Sequence, residues 1–294
     1  MKLAFSTNAF TRFPLTDAIA AIAEAGFDGV EILADKPHAY VPDLTDADRA
    51  AVRAAIDASG LRVSNVNANC TFGYWSDAPG EPYFEPSLIS PVGKHRRDRA
   101  AMIRQTIDFA AGIGAANVSI TSGRCLGGVS PVKAGLLLRE ALLPLLDAAD
   151  AVGVDIGIEL EPGLYLEWIA ELRALIGEIG HPRLGANLDV GHAVVNGERI
   201  DEAVLTLAGR IWNLHVEDLP GRKHYHQTPG DGTFDWPQLA GALRRIGYDR
   251  FVTVELYTQT DDPHAAAQHS HAFLRDAFGH PTAATPVTAA RGVR

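Results

Sequence analysis

Cysteine is scarce. Cys70 and Cys125 are the only two in 294 residues, and their separation fits no zinc or redox motif. A disulfide-held secreted scaffold is therefore excluded, and two reduced thiols in a cytoplasmic enzyme are expected. Long apolar runs are missing as well. No window approaches the ~18 apolar residues of a membrane span. The opening Met1-Lys2-Leu3-Ala4-Phe5 turns polar at Ser6-Thr7-Asn8, too early for a signal peptide. Basic residues are outnumbered, with 26 Lys and Arg against 36 Asp and Glu and a formal net charge of -10. Nucleic acid is bound by clustered cations, so it is not an expected partner, and neither is a membrane. Nor does a Gly-rich phosphate loop follow the first apolar run. Ser6-Thr7-Asn8-Ala9-Phe10 stands there instead, which argues against an open dinucleotide-binding sheet.

What is present is a packed globule's composition, 47% hydrophobic and 21% charged. Short apolar runs alternate with helix-length segments from end to end. Strands are predicted at 3–6, 29–33, 63–66, 117–121, 156–160, 185–188, 211–216 and 251–255. Helices fall between them, over 15–25, 46–59, 91–112, 131–151, 166–179, 200–207 and 236–246, with a last one over 263–278. Gly-marked joints such as Ala25-Gly26-Phe27-Asp28 and Ala151-Val152-Gly153-Val154 close the units. Strict alternation implies a parallel sheet with helical crossovers, and eight units imply closure into a single (β/α)8 TIM barrel, an α/β fold. The barrel is expected over residues 1–278. Residues 279–294, rich in Ala, Thr and Pro, read as a flexible tail.

Four runs in the second half end in a carboxylate or an imidazole: Ile156 to Glu161, Gly185 to His192, Ile211 to Asp218 and Phe251 to Leu256. A charge at the end of a buried strand needs a reason, because burying it unpaired is costly. In a barrel these ends converge on one mouth. Glu159, Asp189, His215 and Glu255 then form a hard, mixed oxygen–nitrogen ligand set for one divalent ion. Mn2+ is the first choice, with Co2+, Mg2+, Zn2+ and Fe2+ also compatible. Glu161 lies two residues beyond Glu159 on the same face and could ligate in its place, although Pro162 and Gly163 put it nearer the rim. His192 is either a further metal contact or a substrate hydrogen-bonding group. Asp218 reads as a residue that steadies the loop or a ligand. Two long loops flank the mouth. One, over 70–91, carries Phe72, Tyr74, Trp75, Tyr83 and Phe84. The other, over 220–234, carries Arg222, Lys223, His224, His226 and Asp231. Asn67 ends the third strand and, with Trp75, is a candidate substrate contact.

The pattern resembles the xylose isomerase-like barrels grouped as sugar phosphate isomerases/epimerases, which include ketose 3-epimerases, inosose dehydratases and hydroxypyruvate isomerases. The resemblance rests on Gly26-Phe27-Asp28-Gly29-Val30-Glu31-Ile32, Asn187-Leu188-Asp189-Val190-Gly191-His192, Asn213-Leu214-His215-Val216-Glu217-Asp218 and Gly230-Asp231-Gly232-Thr233-Phe234-Asp235. It implies that Glu159 and Glu255 bind the metal and serve as the acid/base pair. It also implies that His192 and an Arg of the seventh loop, Arg222 being the nearest candidate, hold the substrate. Repair endonucleases of the same superfamily carry further His ligands after the third and fourth strands. Here those strands end in Asn67-Ala68-Asn69 and Thr121-Ser122-Gly123, which disfavours a metallohydrolase.

The expected activity is isomerisation or epimerisation of a sugar, polyol or keto acid through an enediolate. A dehydratase-type lyase on the same site and a metal-binding accessory barrel are the alternatives. A homodimer or homotetramer is left open.

Overall fold

The computed structural model of the protein describes residues 1–76 and 84–279. Tyr83 and the tail from residue 280 onward lie outside the described residues. Strands β1 (Lys2–Ser6), β2 (Gly29–Leu33), β3 (Arg62–Asn67), β4 (Asn117–Thr121), β5 (Asp155–Glu159), β6 (Leu184–Asp189), β7 (Ile211–Val216) and β8 (Phe251–Val254) form a closed barrel in sequence order. All neighbours are parallel, and β8 pairs back on β1 with Leu3 opposite Val252. Helices α1 (Leu15–Glu24), α2 (Asp46–Ser59), α3 (Gly93–Ile113), α4 (Pro131–Val152) and α5 (Ile169–Ile179) follow the first five strands in turn. Then come α6 (Val190–Asn196) and α7 (Ile200–Thr206) after β6, α8 (Trp236–Arg245) after β7, and α9 (Pro263–Ala277) after β8.

Local chemistry marks the helix ends. Thr45 and Asp48 form a reciprocal cap at the start of α2, and Gly60 ends it with a φ of 73°. The Gly expected to stop the first helix, Gly26, also has a positive φ, 96°. The one unit read wrongly is the sixth. Sequence periodicity predicts a single helix near 200–207. The structure inserts α6 ahead of it, starting directly at the strand end, because the Asp189 carboxylate accepts the His192 amide and caps it.

The strands carry two different faces. Outward residues such as Ile32, Val66, Ile120, Ile158, Leu188 and Val254 are buried under apolar helix faces that include Ile22, Ile56, Ile107, Leu142, Leu172 and Leu243. Inward residues are polar at alternate positions, which a run read only as apolar conceals. Asn65 donates to Glu31 and Ser119, and Asn117 donates to the Asn65 carbonyl. Asn213 donates to Asn187, and the Thr253 hydroxyl donates to Asn213 and accepts from Ser64. Burying such groups is tolerable because they satisfy one another. The result is a floor of amides and hydroxyls lying just beneath the strand ends.

Candidate metal centre

Three of the strands that contribute to the floor contribute again two residues later. Asn187 is followed by Asp189, Asn213 by His215 and Thr253 by Glu255, while Gly157 on β5 precedes Glu159. The period of two sends both residues of each pair into the barrel, one above the other. Glu159, Asp189, His215 and Glu255 thus meet at the mouth, each with a ligand atom within 4.8 Å of the others, and all are buried.

Every group in this set is held by a partner. The Glu159 carboxylate accepts from Asn69 at 2.9 Å and from Asn187. Glu255 accepts from Asn8 at 3.0 Å and Asn67 at 2.9 Å. His215 turns Nδ1 toward Glu159 Oε2 (3.0 Å) and Glu255 Oε2 (3.4 Å), while its Nε2 lies 2.6 Å from Glu31 Oε2. An imidazole anchored by a carboxylate on one nitrogen and aimed at carboxylates with the other is in the posture of a metal ligand. The Oδ2 atom of Asp189 is buried and has no hydrogen-bond partner, although Oδ1 takes the His192 amide at 3.0 Å. A divalent ion fits this donor set. It would give the orphaned oxygen a partner and neutralise three carboxylates that otherwise crowd one buried point.

The electrostatics follow from that crowding. Burial pushes the Glu255 carboxyl well above its usual range, and Glu159, Glu31 and Asp189 add to this against the opposing pull of His215. Burial disfavours the His215 cation, yet Glu255, Glu31 and Glu159 together hold it well above the ordinary imidazole value. Burial also raises Glu217, as does the neighbouring Asp189. That side chain packs so tightly behind Asp189 that a Cβ on Gly191 would lie 1.5 Å from its Oε1. Only glycine fits at 191.

Above the centre opens a cavity of about 390 Å³. Asn67, Glu161 and His192, expected as substrate contacts, line it. Asn67 is already committed to Glu255 and to Glu31 at 3.2 Å. Glu161 is pushed up to about 7 by burial. His192 is drawn up to about 9, because Asp189, Glu161 and Glu159 outweigh the cost of burying its charge. Asp218 clasps the seventh loop. Its carboxylate accepts from the amides of Leu219, Gly230 and Phe234 and from the Trp236 indole.

Two expected contacts lie elsewhere. Arg222 points away from the cavity and donates to the Val194 and Val195 carbonyls at the C-terminal end of α6, an end that attracts cations. Trp75 donates its indole N–H to the Glu85 carbonyl and packs edge-on against Tyr74 and His95. Phe72 and Phe84 of the same loop line the cavity instead.

Three contributors escape sequence reading. Glu31 sits inside an apolar run, and its contact with His215 is 184 residues distant in sequence. His224 and His226 of the seventh loop also line the cavity. The His-x-His spacing was their signal, placing both rings on one side of an extended segment. Where repair endonucleases carry further His ligands, this chain has Asn69 donating to Glu159 and Thr121 donating to the Asn69 carbonyl.

Fold and mouth together define a closed parallel barrel with a cavity above a buried carboxylate and imidazole cluster that could hold a divalent ion. The chain belongs to the xylose isomerase-like TIM barrel family, whose model matches residues 19–277. Among its relatives, the fructoselysine 3-epimerase of Shigella flexneri is 26% identical over 262 residues, 88% of this chain and 91% of that one. A putative hydroxypyruvate isomerase of Streptomyces coelicolor is 27% identical over 265 residues, 87% and 90% of the two chains. Among solved structures, a D-tagatose 3-epimerase-like protein superposes with a TM-score of 0.80 at 21% identity, over 95% of this chain and 97% of that one. The IOLI protein with a zinc atom does so with a TM-score of 0.76 at 19% identity, over 96% and 100%.

Proposed function

We propose that the protein is a divalent-metal-dependent isomerase or epimerase of a sugar, polyol or keto acid, acting by proton transfer at a carbon beside a carbonyl. The observation that carries this reading is the buried quartet of Glu159, Asp189, His215 and Glu255. A divalent ion bound there draws electrons from an adjacent carbonyl and hydroxyl and so acidifies the C–H between them. The chain's own groups do the rest. Glu159 from β5 and Glu255 after β8 approach the substrate from two strands, one to take the proton and one to return it. Asn8, Asn67, Asn69 and Asn187 fix the two carboxylates, so their geometry is set before substrate arrives. His192 and Glu161 line the cavity and bind substrate oxygens. Phe72 and Phe84 cover an apolar sugar face and keep water from the enediolate. Names of relatives, an epimerase and an isomerase among them, are consistent with this chemistry.

Return of the proton to the same carbon inverts it, and return to the neighbouring carbon moves the carbonyl. Departure of a β-hydroxyl would make the enzyme a lyase after the same first step. The test is solvent-deuterium incorporation into a panel of ketoses, inososes, 3-keto-sugars and hydroxypyruvate with Mn2+ restored. Deuterium next to the carbonyl is expected, and Glu255→Gln should slow its uptake by roughly 10²–10⁴-fold while metal remains bound. Full exchange in that variant would overturn the acid/base assignment.

A further inference from the structure

The end of β3 supplies two of the amides that hold the acid/base pair. Asn67 donates to Glu255 and Asn69 donates to Glu159, each at 2.9 Å. The two are joined, because the Asn69 backbone N–H donates to Asn67 Oδ1 at 3.1 Å. One short stretch of chain therefore reaches both carboxylates. Its side chains are anchored unequally. Asn67 also donates to Glu31 at 3.2 Å. Asn69 has no such second tie, since its Oδ1 is buried without a hydrogen-bond partner. An amide held at one end points where its backbone points. The aim of Asn69 at Glu159 is therefore set by whatever fixes the chain at residues 68–69.

Two side chains fix it. Arg99 of α3, only 2% exposed, donates through one guanidinium nitrogen to the Ala68 carbonyl and, at 3.5 Å, to the Asn69 carbonyl. The Thr121 hydroxyl at the end of β4 donates to the Asn69 carbonyl at 3.0 Å. A few residues on, the Asp35 carboxylate accepts the amides of Phe72 and Gly73 at 2.6 Å each. The stretch 68–73 is thus clamped by a cation on its carbonyls and an anion on its amides. A buried arginine is costly and ordinarily sits against a carboxylate. Among the described residues, the hydrogen bonds of Arg99 go to main-chain carbonyls instead. Burial draws its guanidinium down to about 10 against the opposing influence of Asp35, so it stays a cation at neutral pH. A full charge on a carbonyl makes a stronger latch than a neutral donor would.

We propose that Arg99 is a positioning residue: it holds the Ala68–Asn69 backbone so that Asn69 keeps Glu159 in register with Glu255. The proposal rests on the reading of those two carboxylates as the acid/base pair. Arg99 is not part of the cavity wall, so it acts on the substrate only through the chain.

The experiment compares Arg99→Ala and the milder Arg99→Lys, each alone and combined with Asn69→Ala, in the full chain with circular dichroism as the check on folding. One readout is solvent-deuterium uptake on the panel substrate that exchanges fastest. The other is Co2+ affinity, by competition with a chromophoric chelator. Arg99→Ala should lower the rate at saturating substrate by roughly 10²-fold with KM little changed, and weaken Co2+ binding by roughly 10–100-fold. Arg99→Lys, which returns the cation, should recover part of both losses, and so should a low concentration of guanidinium chloride added to Arg99→Ala. Asn69→Ala should match Arg99→Ala. The double variant should be no worse than either, because losses that pass through one shared contact do not add. If Arg99→Ala does not fold, Arg99→Lys with and without Asn69→Ala carries the same comparison. A purely structural brace would lower the melting midpoint and leave rate and affinity of the folded variant at wild-type values. That result, or additive losses, would overturn the proposal. A wild type that binds Co2+ but exchanges no substrate would overturn the acid/base reading instead, and the Co2+ affinities of the variants would then show whether Arg99 holds Asn69. A wild type with neither property would overturn both.

Discussion

Glu31 reaches the mouth through His215 and Asn67. Its carboxylate accepts from Asn65 at 2.8 Å as well as facing the imidazole. Burial alone would raise it, yet His215 holds it below the usual carboxylate range, so it is ionised and fixes which ring nitrogen is free. Glu31→Gln keeps the shape and removes the charge. Metal affinity should fall by roughly 10–100-fold, read by competition with a chromophoric chelator, with the fold unchanged. An unaltered affinity would show that the pair serves packing alone. Arg222 and Trp75 teach the converse at this scale. Residue type suggested a substrate contact, but a loop side chain goes where the nearest unsatisfied partner is. For Arg222 that is a helix end, and for Trp75 it is the Glu85 carbonyl. At the start of α3, Lys94 is paired to Asp98 and Arg96 donates to the Ser90 carbonyl.

At the scale of elements, the first two strand-to-helix loops are latched by His38. Its Nε2 lies 3.2 Å from both the Phe10 and Phe13 carbonyls, and its Nδ1 lies 3.2 Å from the Thr7 hydroxyl. Nε2 faces only carbonyl oxygens and so carries the neutral ring's hydrogen, which leaves Nδ1 to accept from the Thr7 hydroxyl. Burial accordingly lowers His38 from its ordinary 6.5. Above that value both folded and unfolded chains carry the neutral ring. Below it the unfolded chain takes a proton the folded one refuses, so stability drains as pH falls. Denaturant titrations from pH 7 to 5 should show His38→Gln flattening this loss by up to about 1.4 kcal/mol per pH unit. An unchanged slope would remove His38 from the account.

Elements were also where sequence reading worked best and where it stopped. Long periodic helices such as α2 and α4 and Gly-marked joints were legible, because propensity, capping and pattern agree there. The seven residues of α6 were not. They include Gly191, a poor helix former, kept because Glu217 occupies the space of a side chain. The carboxylates at strand ends stood out against apolar runs. The amide floor did not, since Asn and Ser at alternate positions look like weak strands until the barrel closes and pairs them.

Across the whole molecule the net charge is -10, and three of the carboxylates behind it meet, buried, at the mouth. Folding brings those charges together, so a bound cation should be a stability term for the entire barrel. An ion present at 100 times its dissociation constant adds about 2.7 kcal/mol. That corresponds to a rise in Tm on the order of 5 °C for a chain of this size. Thermal unfolding in a chelator and after Mn2+ is restored measures it, and identical midpoints would contradict a centre formed by folding. No helix among the described residues is long and apolar enough to cross a membrane.

Asp189 has one oxygen on a helix and the other on the centre. Its Oδ1 begins α6, and its Oδ2 is buried without a hydrogen-bond partner, on the side of the proposed ion. A tug on either is therefore transmitted to the other. The helix that carries His192 is moored to the very group the ion would grip, and its first turn becomes a gauge of occupancy. It also makes substitution at this position ambiguous by construction: alanine would cut the mooring and empty the site in one stroke, whereas asparagine would keep the helix tied while giving up the charge.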